Sequence, residues 1–232
     1  MAMTATMQEV VQQCALLTGL TMAEQEAVLE NGRFYQIPQG AYFFHQGEEA
    51  KTLYLITAGQ VKLTQVNESG SQIILNYFGP GNGLGIIVAL SNMTYPLSAE
   101  AVEACAAIAW HRDTMKTLML RYPQLALNGL EMIAGRFVSL QERFNDLATR
   151  QVEQRVARAL LRLVRQFGKR VEQGVMIDIA LSRQNLAEMT GTNLYQVSRI
   201  LSKWEKAGVV ALQRQTVILC KAHELVVIGE DL

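Results

Sequence analysis

Seven apolar residues between positions 126 and 147 recur at alternating steps of four and three: Ala126, Leu130, Ile133, Phe137, Leu140, Phe144 and Leu147. This is the a/d spacing of a coiled-coil seam. Glu131, Arg136, Gln141, Glu142, Arg143, Asn145 and Asp146 lie between them, so the spacing predicts a mostly polar outer face. The helix would run about 33 Å at ~1.5 Å per residue. A helix packed on a globular core carries a wider apolar stripe. The narrow seam therefore predicts a parallel homodimer joined through Leu130, Ile133, Phe137, Leu140, Phe144 and Leu147, against the competing reading of a long core helix in a monomer. Burying each large side chain contributes roughly 1.5–3 kcal/mol, enough to offset Gly129 and Gly135 at about 1 kcal/mol apiece in a helix interior.

The chain differs in texture on the two sides of that helix. Glycines at 40, 47, 59, 70, 79, 81, 83 and 85 punctuate strand-like segments at 53–56, 60–66 and 73–78. Asn67-Glu68-Ser69-Gly70 reads as a hairpin loop, and 98–110 as a later strand rich in small residues. Short strands of this kind predict a β jelly roll. Residues 8–31 read as a helical preface, with Thr21 and Glu24 at capping-box spacing. A helix at 112–119 follows the strands, and Pro123 opens the seam helix. Past 149 a new amphipathic face appears at Val152, Val156, Leu160, Leu163, Val164 and Phe167, with Gly168 as its expected stop. The expected division is a sensor domain at 1–123, a dimerisation helix at 124–148 and a DNA-binding domain at 149–232.

Charge follows the same division. Residues 1–148 hold 8 Lys/Arg against 13 Asp/Glu, whereas 149–221 hold 13 against 5. A basic C-terminal half within a neutral chain points to a polyanion. Cys14, Cys105 and Cys220 are scattered, so neither a disulfide framework nor a four-cysteine cluster within one chain is expected. With no apolar run near the ~18 residues that span a membrane and no signal-type N-terminus, a cytoplasmic location is expected.

Residues 182–201 have the form of a helix-turn-helix. Ser182 can cap a first helix, Gly191 permits a left-handed turn, and Asn193 can cap a second. Val197, Ile200, Leu201 and Trp204 form the buried face of that second helix. Tyr195, Gln196, Ser198, Arg199 and Lys203 are left to project, and 209–220 reads as a two-stranded wing. A helix entering the major groove must offer hydrogen-bonding side chains near its start. Arg199 is the strongest base reader, because its fork pairs bidentately with guanine.

These features together resemble the CRP/FNR family of bacterial transcription regulators. The resemblance covers nearly the whole chain, from Phe44-His45-Gln46-Gly47-Glu48, Leu53-Tyr54-Leu55-Ile56 and Gly59 to the helix-turn-helix. It implies an α+β architecture: a cyclic-nucleotide-binding-type β-roll, a long dimerisation helix and a C-terminal winged helix-turn-helix. It also implies a homodimer on palindromic DNA, an effector in the sensor and RNA polymerase as a partner. Ser198-Arg199 is similar to the base-reading pair of the FNR branch, whereas Tyr195 stands where both branches commonly place glutamate. Ser182 and Arg183 look like phosphate contacts, with Gln184 beside them.

In the cyclic-AMP-binding branch a glutamate follows a glycine and an arginine precedes Ser-Ala. Here those positions read Gly85-Ile86 and Leu97-Ser98-Ala99, and hydroxyl residues of the seam helix are replaced by Leu140 and Gln141. Cyclic AMP is therefore not expected. Gly85, Ile86, Leu97, Ser98 and Leu140 suggest an apolar pocket, for haem with a diatomic gas such as nitric oxide, for an apolar or carboxylate metabolite, or for no ligand at all. His111, Met93 and Cys105 are the candidate haem ligands. A cupin-like metalloenzyme and a cyclic-nucleotide-type module without a transcription role are the alternatives. The three histidines lack ligand spacing, and no nucleophilic triad or phosphate loop is present, so an enzyme is not expected.

Overall fold

The computed structural model describes residues 10–11 and 14–230. They fall into two units, Met1–Ser139 and Leu140–Leu232. Of the predicted helical preface, 8, 9, 12 and 13 lie outside the described residues. The rest is a 3-10 turn at Ala15–Leu17 and a helix α1 at Met22–Glu30, opened by the Thr21/Glu24 capping box.

Among the described residues the first unit holds eight strands: β1 (Arg33–Ile37), β2 (Tyr42–Phe44), β3 (Thr52–Ala58), β4 (Val61–Val66), β5 (Gln72–Phe78), β6 (Gly83–Leu84), β7 (Ser98–Ala101) and β8 (Cys105–His111). They pair antiparallel in two four-stranded sheets, ordered β1-β8-β3-β6 and β2-β7-β4-β5. One core takes Ile56, Leu84 and Ala107 from the first sheet and Phe44, Val61, Phe78 and Ala99 from the second. Side chains alternate across a strand, so Leu53 and Leu55 of β3 point the other way. They enter a second core with Leu16, Val28, Trp110, Met115 and Leu125. The indole of Trp110 donates to the Val28 carbonyl at 2.8 Å, which fastens α1 to the roll. A short helix α2 (Ile87–Leu90) follows β6, and α3 (Arg112–Arg121) follows β8. The single strand expected at 98–110 is in fact two strands lying in different sheets. Alanine-rich strands offer little apolar contrast, so the sheet switch left no periodic mark.

Helix α4 runs Pro123–Thr149 and contributes to both units. Its large apolar residues Leu127, Leu130, Phe137, Val138, Leu140, Phe144 and Leu147 are exposed. Ala126 and Ile133, counted in the seam, pack partly on this unit's own core. A second stripe faces inward at Leu125, Gly129, Met132, Arg136, Ser139, Arg143 and Asp146, again at steps of four and three. Three residues expected on a polar outer face, Arg136, Arg143 and Asp146, are thus on the inner one. The inward stripe turns polar halfway along, which hid it from an apolar-periodicity reading.

In the second unit, α5 (Val152–Phe167) is followed by the hairpin of β9 (Gly168–Val171) and β10 (Gly174–Ile177). The helix-turn-helix is α6 (Arg183–Thr190) and α7 (Leu194–Lys206), and β11 (Val210–Gln213), β12 (Thr216–Leu219) and α8 (Ala222–Glu230) complete the unit. The wing expected as two strands belongs to a four-stranded sheet ordered β11-β12-β10-β9. Gly168 ends α5 differently from expectation. Its φ of −73° leads straight into β9 rather than through a left-handed cap. A side chain is excluded there, since a Cβ would lie 2.3 Å from the Val164 carbonyl oxygen.

Candidate functional site

The helix-turn-helix is built from three local devices. Ser182 caps α6 through a capping box: its Oγ accepts from the Asn185 amide at 3.0 Å, while Asn185 Oδ1 accepts from the Ser182 amide at 2.9 Å. Gly191 takes φ 60° and ψ 45°, a conformation that strains any residue with a Cβ. Asn193 Oδ1 then accepts from the Gln196 amide at 2.9 Å and starts α7. Beneath them Val197, Ile200, Leu201 and Trp204 are buried, as the spacing predicts. Arg155 of α5 secures the turn from below. Its Nε donates to the Thr190 carbonyl at 2.9 Å and its Nη2 to Gly191 at 3.3 Å, satisfying carbonyls at the end of α6.

The exposed side of α7 carries Tyr195, Gln196 and Arg199, with Ser198 half-buried. Tyr195 is 76% exposed. Arg199 makes no hydrogen bond or ion pair among the described residues, so its donors are available. Ser202 and Lys206, which the sequence reading did not single out, share a shallow depression with Arg199 and Lys203. Three and seven residues beyond Arg199, they continue its face by helical periodicity.

Three expected contacts are already engaged. Lys203 Nζ lies 2.9 Å from Glu153 Oε1, and that oxygen also accepts from the Trp204 indole at 2.9 Å. The Ser182 hydroxyl donates to Asn185 Oδ1 at 2.7 Å. Gln184 donates to Glu188 on the next turn at 2.9 Å, whereas Arg183 is exposed at the first position of α6.

In the same unit, Asp146 is 2% exposed and holds two arginines of α5. Arg162 Nη1 donates to Oδ2 at 2.8 Å. Arg158 Nε lies 2.7 Å from Oδ1, off the hydrogen-bond line, so that contact is ionic. Burial, with Arg162 nearby, pushes the Arg143 guanidinium down to about 10.

In the first unit, Ile86 belongs to the core under α4, and Leu97 packs on the core between the sheets. Gly85 takes a positive φ of 68°. Ser98 Oγ accepts from the Gln46 amide at 2.9 Å, and Leu140 is exposed on α4. The candidate haem ligands do not converge. The His111 side chain is exposed and accepts from the Asp113 amide as the cap of α3. Cys105 begins the strand that His111 ends, about 20 Å away at ~3.3 Å per residue. Its buried thiol is pushed up to about 11 and contacts the Gln60 and Glu103 carbonyls. Met93 is exposed. These residues do not fit a haem.

What the apolar-pocket reading missed is Arg136. Its guanidinium lies 4.8 Å from the Phe78 ring centroid and donates to the Gly83 carbonyl. Its place between seam residues was the only sequence signal, and that signal was read as outward.

Known proteins agree with this architecture. Residues 34–122 match the cyclic nucleotide-binding domain family, and 154–227 match the Crp-like helix-turn-helix domain. The cyclic AMP receptor protein of Thermus thermophilus is 31% identical over 202 residues, covering 87% of this chain and 90% of that protein. The fumarate and nitrate reduction regulatory protein of Yersinia pestis is 24% identical over 177 residues, 76% of this chain and 70% of that protein. FixK2 from Bradyrhizobium japonicum shares the fold with a TM-score of 0.76 at 21% identity, over 85% of this chain and 96% of that one. With both domain matches in order and a 31% identical relative spanned almost end to end, the chain belongs to the CRP/FNR family of DNA-binding transcription regulators.

Proposed function

We propose that the chain works as a homodimer that reads a palindromic DNA site through α7 under the control of a small-molecule effector, and that it catalyses no reaction. The observation that carries this reading is the exposed face of α7, where Tyr195, Gln196 and Arg199 project from a turn braced by two side-chain caps. Arg199 would read guanine in each half-site, with Tyr195, Gln196 and Ser198 beside it. Ser182, Arg183, Gln184, Asn193 and Lys203 would position the phosphates.

Dimerisation rests on the apolar residues that α4 leaves exposed. Phe137 and Phe144 are 60% and 71% exposed, and a contiguous stripe of this kind marks an interaction surface. An identical helix offers the matching heptad. RNA polymerase is the partner the family resemblance implies, and a DNA-bound role implies the cytoplasm. The effector differs from cyclic AMP, because Ile86 and Leu97 stand where that branch holds a glutamate and an arginine.

Selection of bound sequences from a random duplex library tests this. The expected product is an inverted repeat with half-sites about 34–36 Å apart, bound with a steep salt dependence. Recovery of no sequence preference, or of a single half-site, would overturn the reading.

A further inference from the structure

The first turn of α7 carries no acid. Its two leading residues, Leu194 and Tyr195, are 47% and 76% exposed, and neither belongs to the buried face formed by Val197, Ile200, Leu201 and Trp204. The side-chain acceptors beside them are already engaged. Asn193 Oδ1 accepts from the Gln196 amide at 2.9 Å, and Gln196 Oε1 accepts from the Thr192 hydroxyl at 2.8 Å. Gln196 is itself exposed, so what it has left to offer a partner is its two amide N–H donors. Base edges in the major groove differ in what such a turn can meet. Cytosine presents an amino donor that a carboxylate accepts, and this turn holds none. Adenine asks a glutamine for a donor and an acceptor together, and the acceptor is held by Thr192. Thymine presents the O4 acceptor beside a 5-methyl group, which matches an amide donor flanked by an exposed leucine and an exposed tyrosine ring.

We propose that Leu194 and Tyr195 read thymine, packing against its 5-methyl group while Gln196 donates to O4, so that each half-site joins an A·T pair to the guanine read by Arg199. This deepens the regulator reading, on which it rests, by naming the bases that α7 selects. The first turn is the part of a recognition helix that reaches base edges. Arg199 lies four residues beyond Tyr195, ~6 Å along the helix at ~1.5 Å per residue, so the two contacts fall on different base pairs. Covering the methyl group removes apolar surface from water on both partners.

The test uses the full chain and the palindrome recovered by selection. Each thymine of the half-site is replaced in turn by deoxyuridine, which deletes the methyl group and keeps the hydrogen-bonding edge, and affinity is read by fluorescence anisotropy at fixed salt. At least one replacement is expected to weaken wild-type binding about fourfold per half-site, the worth of one buried methyl. The same replacement should have no effect in the Leu194→Ala, Tyr195→Ala double variant. Tyr195→Glu, which adds an acid where the start of a helix favours one, should trade the preference for A·T at that pair for one that presents the cytosine amino group. Both variants should keep the wild-type Tm, because the residues changed are exposed, and the deoxyuridine series on the wild type stands without them. A half-site in which no thymine responds to loss of its methyl group would overturn the proposal. So would an equal response in the double variant, which would give the methyl contact to another residue, or an unaltered preference in Tyr195→Glu. A selection that recovers no sequence preference would overturn the regulator reading itself, whereas a selected palindrome with unresponsive thymines overturns this assignment alone.

Discussion

Arg199 has no hydrogen-bond or ion-pair partner among the described residues and lies on the exposed side of α7, so the proposed role in DNA recognition would carry no internal cost. Arg199→Ala should remove about 1–3 kcal/mol of discrimination per half-site while leaving Tm unchanged. Fluorescence anisotropy on cognate and scrambled duplexes measures it, and equal discrimination would mean that another residue reads the bases. Lys203 presents the opposite case, because Glu153 already neutralises it at 2.9 Å. In Glu153→Gln the amide oxygen can still accept from Trp204, but Lys203 is released toward phosphate. The slope of log affinity against log salt should steepen by about 0.9 per protomer. An unchanged slope would show that Lys203 does not reach the backbone of DNA. Both roles concern side chains four residues apart on one helix. Periodicity placed both on the same face; only the tertiary neighbour Glu153 separates them.

Helix α4 carries two stripes that work in opposite directions. Its apolar stripe is solvent-exposed in a single chain, so a charge there should leave the protomer folded and break the dimer. Phe137→Glu is expected to sediment as a monomer with an unchanged far-ultraviolet circular dichroism spectrum and to lose affinity for the palindrome. Persistent dimers would show that the helix is not the seam. The inward stripe holds Asp146 between Arg158 and Arg162, whose side chains keep 30% and 23% exposure. Asp146→Asn should cost about 1–3 kcal/mol, below the range for fully buried pairs because solvent still screens the arginines. Urea denaturation checks this, with the exposed Glu142→Gln staying within about 0.5 kcal/mol of wild type. An apolar seam is legible from sequence because its residues are alike. A polar inward stripe is not, since Arg136, Arg143 and Asp146 resemble any solvated face until their partners are seen.

For the molecule as a whole, the order of elements was readable along the chain: glycine-punctuated strands, a heptad helix, then a capped helix-turn-helix with a basic surplus. These are local or periodic signals, and each depends on residues within a few positions of one another. Ser182, Gly191 and Asn193 specify their caps and turn through neighbours three to four residues away, so sequence alone determined the helix-turn-helix. The same holds for the Thr21 capping box and for the hairpin of β4 and β5. Tertiary structure alone decided the joining of β9 and β10 to the wing strands. It likewise decided the division of 98–110 between two sheets, the incompatibility of His111, Met93 and Cys105 with one haem, and the burial of Arg136. For the wing strands, the split of 98–110 and Arg136, the deciding contact joins segments far apart in the chain. Whether a charge is solvated or paired depends on what the fold brings beside it, and spacing along a helix carries no record of that.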